Sequence, residues 1–178
     1  MHKDCAEILV SEEQIQERCK ELGKELSDYY RKRNSVPMLI GLLKGSVPFL
    51  VDLIKRMDID VEIDFLDVSS YAGTNSTEVR ILKDIESSIT DKDVLVVEDI
   101  VDTGKTLEKV CELLKAKGAR EVKIVTLLDK PEGRQIDTIR PDYIAFSVPN
   151  KFIIGYGLDY NQKYRNLPYV GVIKEEAI

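Results

Sequence analysis

The sequence predicts an α/β fold with a doubly wound, mostly parallel sheet, and three observations carry this prediction. Short apolar runs rich in Val, Ile and Leu recur through the middle of the chain, and strands buried on both faces of a parallel sheet have this composition. Segments with helical periodicity lie between these runs. The length of 178 residues suits one domain with a sizeable core, so we expect a single unit over 1–178.

The first predicted element is a helix that begins after Ser11. Gln14 stands three residues later, which is the spacing of a capping box at a helix start. Apolar residues then recur at helical spacing, at Ile15, Cys19, Leu22 and Leu26. We expect this helix to cover the core with its apolar face and to expose a charged face.

A first core strand is predicted over 36–43, followed by a turn at Lys44 and Gly45 and by a helix with Pro48 near its start. A turn at the end of a strand is a candidate phosphate site. Alone this one is a weak signal, because a Lys and a Gly after a strand usually form only a turn.

Two further strands are predicted over 61–71 and 78–83, and the segment between them has two interpretations. Residues 71–77 are small and polar and include Gly73. A plain hairpin connection and a mobile lid over a site both have this composition. The sequence alone favours the hairpin.

The run Val94 to Val97 predicts a strand that is buried on both faces and stops at acidic residues. The acids are Glu98, Asp99 and Asp102. A loop follows, consisting of Thr103, Gly104, Lys105 and Thr106. Apolar residues at helical spacing then predict a helix, at Leu107, Val110, Cys111 and Leu114. Chemistry is therefore expected at the end of this strand.

This loop suits an anion. Main-chain N–H groups of a Gly-containing turn and of a helix start point at one spot, and the helix dipole adds positive potential there. The neighbouring acids would repel a phosphate unless they bind a cation, ligand hydroxyls or a proton. A sugar phosphate with free hydroxyls, together with Mg²⁺, meets all of these demands.

Two other interpretations of the loop are weaker. Gly104 to Thr106 match the end of a nucleoside-triphosphatase loop, but Asp99 stands where that loop requires Gly, so we reject this reading. A plain acidic loop explains single acids. It does not explain a fully apolar strand followed by this series of acids, Thr and Gly.

The second half of the chain predicts two more strands and an aromatic tail. The apolar strand over 121–130 ends at Lys130, and the carboxyl ends of parallel strands face one crevice, so Lys130 should face the acids. Residues 143–148 predict the next strand. The aromatic-rich segment 152–160 would ordinarily belong to the core at a sheet edge.

Composition excludes several classes of protein. The net charge of −6 argues against a general nucleic-acid-binding surface. No apolar run approaches the ~20 residues that span a bilayer, and the start lacks the apolar core of a signal peptide, so we expect a cytoplasmic protein. Cys5, Cys19 and Cys111 lack metal-like spacing and should be reduced structural thiols. The one histidine, His2, lies in a terminus that we expect to be frayed, which argues against a histidine triad or a zinc site.

Two stretches resemble a known family. Residues 96–106 resemble the phosphoribosyl pyrophosphate loop of the type I phosphoribosyltransferases. Their order of residues is similar to that of the hypoxanthine-guanine branch in its bacterial form. Residues 148–169 resemble the tail of that branch, with Ile153 where the family often has Val. The resemblance extends over nearly the whole chain.

The resemblance implies a fold and a reaction. The core would span roughly 36–148, and segments 1–35 and 149–178 would form a small hood over one edge of the sheet. The reaction would transfer a ribose 5-phosphate group from phosphoribosyl pyrophosphate to hypoxanthine or guanine, with Mg²⁺, giving a nucleotide and pyrophosphate. The family also implies a homodimer or homotetramer, without a nucleic-acid or membrane partner.

The resemblance further implies roles for single residues. Asp102 would accept the proton of the attacking purine nitrogen, and Lys130 would donate to the 6-oxo group, which excludes adenine. The ribose and 5-phosphate would be bound by Glu98, Asp99, Thr103, Gly104, Lys105 and Thr106. Pyrophosphate would be bound by Lys44, Gly45 and Arg165, beside a cis peptide bond between Leu43 and Lys44. The base would also contact Phe152, Ile153 and Asp159. The lid would carry Ser70 and Tyr71, and Mg²⁺ ligands would be Glu98, Asp99 and Asp159.

Two alternatives stay open at this point. A regulator could use the same fold to sense phosphoribosyl pyrophosphate while binding RNA or DNA. The acidic balance and the joint presence of Lys130, Phe152, Asp159 and Arg165 argue against it. The second alternative is a transferase for xanthine or a pyrimidine, because main-chain groups that the sequence does not place set the choice at the 2-position of the base.

Overall fold

The computed structural model describes residues 1–70 and 79–178. Its strands are β1 (Cys5–Val10), β2 (Met38–Leu42), β3 (Glu62–Ser70), β4 (Val79–Lys83), β5 (Asp93–Val101), β6 (Glu121–Asp129), β7 (Tyr143–Ser147), β8 (Ile153–Ile154) and β9 (Val170–Ile173). Its α-helices are α1 (Glu12–Lys32), α2 (Val47–Ile54) and α3 (Lys105–Ala116).

The larger sheet has the strand order β4-β3-β2-β5-β6-β7. Its strands run parallel except for β4, which is antiparallel to β3. The predicted doubly wound, mostly parallel sheet is therefore confirmed. From β2 the chain builds outward through β3 and β4, then returns to β5 and builds the other way. The topological switch point lies between β2 and β5, where such sheets bind their ligands at the carboxyl ends of the strands.

Strand β5 lies in the middle of this sheet, and its residues alternate between two cores. Leu95 and Val97 pack in the core under α1 and α2, whereas Val94 and Val96 pack in the core under α3. This burial on both faces explains the fully apolar run. The sequence predicted that this strand stops at the acids. It instead continues to Val101, because its pairing with β6 continues through Glu98 and beyond.

Helix α1 begins as its sequence predicts. The Ser11 side chain accepts a hydrogen bond from the main-chain N–H of Gln14, and the Gln14 side chain accepts one from the Ser11 N–H, at 2.8 Å. Glu12 and Glu13 in the first turn and basic residues in the last turn complement the helix dipole. The buried face packs on α2 and β7, so α1 covers the larger sheet.

The smaller sheet has the order β1-β9-β8 and is antiparallel. It draws strands from both segments that the sequence assigned to the hood, whereas α1, within the first of these segments, packs on the larger sheet. The sequence analysis predicted neither β1 nor β9. The expectation of a frayed amino terminus was wrong, because the His2 main-chain N–H donates to the Tyr169 hydroxyl at 2.6 Å and the His2 ring packs edge-on against Tyr164.

The structure bears on the cysteines and on the length and apolar character of the helices. Cys5, Cys19 and Cys111 are buried free thiols, as predicted. Across 1–70 and 79–178, none of the helices combines the length and apolar character needed to cross a membrane.

Candidate active site

Two loops meet at the switch point between β2 and β5. The first follows β2 and contains the peptide bond between Leu43 and Lys44, which is cis as predicted. A Cβ atom on Gly45 would stand 1.5 Å from Oδ2 of Asp99, so only glycine fits beside this carboxylate. The Lys44 side chain is exposed at the same place. The structure thus brings the predicted pyrophosphate loop against the predicted ribose-binding acids.

Glu98 and Asp99 form a half-buried pair of carboxylates at the end of β5. The Asp99 N–H donates to Oε1 of Glu98 at 3.0 Å, and the Ile100 N–H donates to Oδ1 of Asp99 at 2.7 Å. Burial raises the pKa of Glu98 well above its usual range, and the charge of Asp99 adds to the effect. Burial also raises the pKa of Asp99, although nearby Arg165 opposes the shift. Two such carboxylates favour a bound cation, and their hard oxygen donors suit Mg²⁺.

The loop after β5 leads into the amino terminus of α3, as the sequence predicts. Gly104 occupies the position before the helix with φ of 86°, a left-handed conformation that favours glycine. A cavity of about 200 Å³ lies here. Its walls include Glu98, Asp99, Asp102, Thr103, Gly104 and Thr106. The side chain of Lys105 is exposed on the first turn of α3. Acceptors for ribose hydroxyls and donors for a phosphate therefore face one small cavity.

A second cavity of about 380 Å³ lies beside the first. Its walls include Ile100, Asp102, Lys130, Phe152, Ile153 and Asp159. The residues predicted to contact a purine base therefore surround one space. Asp102 lines both cavities and so stands where a sugar in one would meet a base in the other.

Lys130 and Asp102 face each other at the ends of two neighbouring parallel strands. Nζ of Lys130 lies 3.7 Å from Oδ2 of Asp102. The lysine side chain is 11% exposed and the aspartate side chain 48%, so a buried cation points at an accessible carboxylate. The Lys130 N–H also donates to the carbonyl of Val101 at 2.9 Å, which fixes the two strand ends together.

The tail forms the outer wall of the second cavity. Phe152 is 47% exposed and packs edge-on against Tyr160, with ring centroids 5.3 Å apart, whereas Ile153 is buried in β8. An exposed aromatic ring on a cavity wall is available for stacking with a base.

Arg165 and Asp159 are paired in the tail. Nη2 of Arg165 lies 2.8 Å from Oδ1 of Asp159, and Nη1 donates to the carbonyl of Gly157 at 2.7 Å. A Cβ on Gly157 would stand 1.9 Å from the carbonyl oxygen of Gly45, so the tail lies directly on the predicted pyrophosphate loop. Asp159 is bound to Arg165 and lines the second cavity. Within residues 1–70 and 79–178, no three His, Cys, Asp or Glu side chains form a metal-binding group.

Known proteins are similar to this chain in sequence and in fold. The sequence model of the phosphoribosyl transferase domain matches residues 7–161. The chain is 50% identical over 176 residues to a hypoxanthine-guanine phosphoribosyltransferase of Bacillus subtilis, and the match covers 98% of this chain and 96% of that protein. The chain belongs to the hypoxanthine-guanine phosphoribosyltransferase family.

Two further relatives extend the comparison. A Staphylococcus aureus hypoxanthine phosphoribosyltransferase crystal structure superimposes with a TM-score of 0.94 at 49% identity, covering 99% of this chain and 96% of that one. The bifunctional protein TilS/HprT of Listeria monocytogenes is 52% identical over 178 residues, but the chain spans only 27% of its length. The resemblance inferred from residues 96–106 and 148–169 is therefore confirmed, together with the fold of this family.

One group of predicted residues lies outside the described ranges. The predicted lid spans residues 71–77, including Tyr71, and none of these residues lies in the described ranges. For Ser70 only the main chain is described, in its pairing with Val79 of β4. The lid stays a prediction.

Sequence reasoning missed a segment that lies against the loop between β5 and α3. The segment 131–136 approaches the loop closely: a Cβ on Gly133 would stand 1.9 Å from Oδ1 of Asp102, and Arg134 Nε donates to the Asp102 carbonyl at 3.2 Å. Pro131 and Gly133 indicate only a turn in the sequence. The contact joins this segment to Asp102, some thirty positions earlier, so it is a tertiary contact that no local sequence pattern indicates.

Proposed function

We propose that the chain transfers the 5-phosphoribosyl group from phosphoribosyl pyrophosphate to hypoxanthine or guanine, giving IMP or GMP and pyrophosphate, as a purine-salvage enzyme. The observation that carries the proposal is the position of Asp102 on the shared wall of two cavities. One cavity has the donors and acids that a sugar phosphate needs, and the other has an aromatic ring and a buried lysine for a base. The name of the Bacillus subtilis relative supports the same reaction.

The sugar phosphate would bind in the smaller cavity. The N–H groups at the start of α3, together with Thr103 and Thr106, would hold the 5-phosphate. Glu98 and Asp99 would accept hydrogen bonds from the ribose hydroxyls, which places the anomeric carbon toward Asp102. Mg²⁺, bound with the substrate near these carboxylates, would neutralise charge on the departing pyrophosphate.

The leaving group would depart between the two loops. The N–H groups of the loop at Lys44 and Gly45, together with the Lys44 ammonium, would stabilise the growing negative charge there. Arg165 would assist after exchanging its partner Asp159 for a pyrophosphate oxygen. The ion pair with Asp159, in which Nη2 lies 2.8 Å from Oδ1, would hold the guanidinium nearby until then.

The base would bind in the larger cavity between Phe152 and Ile153. Lys130 would donate a hydrogen bond to the 6-oxo group of hypoxanthine or guanine. An adenine would present its 6-amino donor to this ammonium donor, so the pocket would reject it. Asp102 would accept the proton that the attacking ring nitrogen loses as the new bond to the sugar forms.

Further proposals concern the extent of the catalytic unit, its assembly and its location. We propose that 1–178 acts as one catalytic unit, with a hood over the site, and that it assembles as a homodimer or homotetramer in the cytoplasm without a nucleic-acid or membrane partner. Xanthine as an additional substrate is left to experiment.

The test of the function is pyrophosphate release, measured with phosphoribosyl pyrophosphate, Mg²⁺ and one base at a time. Hypoxanthine, guanine, xanthine, adenine and uracil are compared side by side. We expect release with hypoxanthine and guanine and none above background with adenine or uracil. The proposal would be contradicted if uracil were the only base that supports release, or if release were equally fast without a base.

A further inference from the structure

The guanidinium of Arg134 joins three segments of chain beside the catalytic loop. Its Nε donates to the carbonyl of Asp102 at 3.2 Å, its Nη1 donates to the carbonyl of Ile139 at 3.0 Å, and its Nη2 pairs with the carboxylate of Asp129. The side chains of Arg134 and Asp129 are 14% and 11% exposed. A nearly buried charge is therefore compensated by acceptors from three different places in the fold.

Two of these acceptors adjoin the residues that face each other across the base cavity. One acceptor is the carbonyl of Asp102 itself, and the other is the carboxylate of Asp129, the residue before Lys130. A single rigid group thus connects the ends of β5 and β6. The separation of 3.7 Å between Lys130 Nζ and Asp102 Oδ2 depends on how these two ends are held.

The loop after β5 also lies on the segment that carries Arg134. The N–H of Gln135 donates to the carbonyl of Thr103 at 3.1 Å. A Cβ on Gly104 would stand 3.2 Å from Cδ of Arg134 and 3.1 Å from Cγ1 of Ile136, closer than an ordinary van der Waals contact, so the segment leaves little room for a side chain at this turn. The segment 134–136 therefore packs against the turn at 102–104 and holds its main chain.

Most of the donors of Arg134 are used by protein acceptors. It lines a cavity of about 410 Å³ together with Arg140, but three of its N–H groups are directed at protein acceptors instead. Arg140, by contrast, is exposed. The role of Arg134 is therefore to hold chain segments in place.

We propose that Arg134, with Asp129 as its ionic partner, is a positioning residue for phosphoribosyl transfer: it sets the place of Asp102 relative to Lys130. The proposal rests on the function proposed above. The planar fork of arginine is essential here, because lysine offers one point charge and cannot bridge acceptors that lie in different directions.

The first variant is Arg134→Lys, with Arg140→Lys as a matched control on the same cavity. We expect kcat for hypoxanthine to fall on the order of tenfold in Arg134→Lys, because a small displacement of a catalytic group is costly in rate. The control should stay within about twofold of the unchanged protein. Thermal unfolding of each variant gives the folded fraction by which kcat is corrected.

The second variant is Asp129→Asn, which leaves Arg134 in place and removes its ionic partner. We expect a similar loss of kcat, and the double variant Asp129→Asn with Arg134→Lys should lose no more than the larger single loss, because the two residues act as a unit. The unchanged protein is assayed first, since its inactivity would contradict the proposed function itself. If it is active while both single variants keep its corrected kcat and lose only thermal stability, the positioning role is wrong.

Discussion

A Cβ atom on Gly45 would stand 1.5 Å from Oδ2 of Asp99, closer than any two non-bonded atoms can lie. Gly45 follows β2 and Asp99 lies near the end of β5, so the contact joins the two strands that flank the switch point. The loop at Lys44 and Gly45, proposed to bind pyrophosphate, and the acids proposed to bind the ribose therefore share one geometry. Any side chain at position 45 must therefore displace the Asp99 carboxylate or shift the loop.

The first prediction concerns this contact. Gly45→Ala should raise the KM for phosphoribosyl pyrophosphate by about tenfold or more, because the new methyl group displaces either the Asp99 carboxylate or the loop. Steady-state kinetics with varied phosphoribosyl pyrophosphate at saturating hypoxanthine measures this. Ser46→Ala is the control in the same loop, since the Ser46 hydroxyl is buried and has no hydrogen-bond partner among the described residues. An unchanged KM in Gly45→Ala would show that the two loops do not share a substrate.

The second prediction separates an enzyme from a sensor of phosphoribosyl pyrophosphate. Asp102→Asn keeps the size of the side chain but cannot accept a proton, so kcat should fall by about 10²–10⁴. Binding of phosphoribosyl pyrophosphate, measured by calorimetry, should change by no more than a few-fold. Turnover that is unchanged by the substitution would remove Asp102 from the role of base. A poor rate of the unchanged protein together with tight RNA binding would favour the sensor.

The third prediction concerns the choice of base. Lys130→Met removes the ammonium donor and keeps most of the volume, so kcat/KM for hypoxanthine and guanine should fall by about 10²-fold or more. Adenine should gain less than these bases lose, because no acceptor for its 6-amino group is introduced. Binding of phosphoribosyl pyrophosphate in the neighbouring cavity serves as the internal control. Equal kinetics of the variant and the unchanged protein would mean that the base binds elsewhere.

The fourth prediction concerns stability far from the site. The Asp93 carboxylate is fully buried and lies 2.8 Å from Nη2 of Arg120, with Arg33 also near. The hydrogen bond from Arg120 holds the pKa of Asp93 well below its usual range, and Ser35 and Arg33 add to this. A lowered pKa in the folded state stabilises the protein above the unfolded pKa of about 3.9, and this stability is lost as the pH falls further.

Asp93→Asn should therefore lower the free energy of unfolding at pH 7 by about 1–2 kcal/mol, a modest value because solvent screens the half-exposed arginines. Urea unfolding at pH 7 and near pH 3 measures the change, and the difference from the unchanged protein should narrow at the lower pH. Asp91→Asn, at an exposed position on the same chain segment, is the control. A difference that grows as the pH falls would contradict the assignment.

The sequence predicted the elements whose signal is local. Val94 to Val97 are apolar because both faces of β5 are covered, and the capping residues of α1 act within one turn. The acids after this run and the loop into α3 belong to one strand-loop-helix unit, so residues that are neighbours in the sequence form a common site. The cis bond at Leu43 and Lys44 came from the family resemblance alone.

The features that sequence reasoning missed depend on distant partners. Strand β1 pairs with β9, where Cys5 lies opposite Ile173, and neither segment is long or regularly alternating. Arg134 is one charge in a turn until the fold brings it to Asp102 and Asp129. Strand β5 runs on past Glu98 because β6 continues beside it, which local composition does not encode.

The smaller sheet also governs the order in which the site can be completed during synthesis. β9 is the middle strand of that sheet, and both β1 and β8 pair with it. Among the described strands, β1 comes first in the chain and its partner β9 comes last, so this pair can close only after the larger sheet has been made. All segments that line the smaller cavity therefore precede β9 in the chain, whereas the wall that carries Phe152 and Ile153 pairs with β9 through β8. Truncation of the chain before β9 should therefore disturb the wall proposed to hold the base more than the loop between β5 and α3.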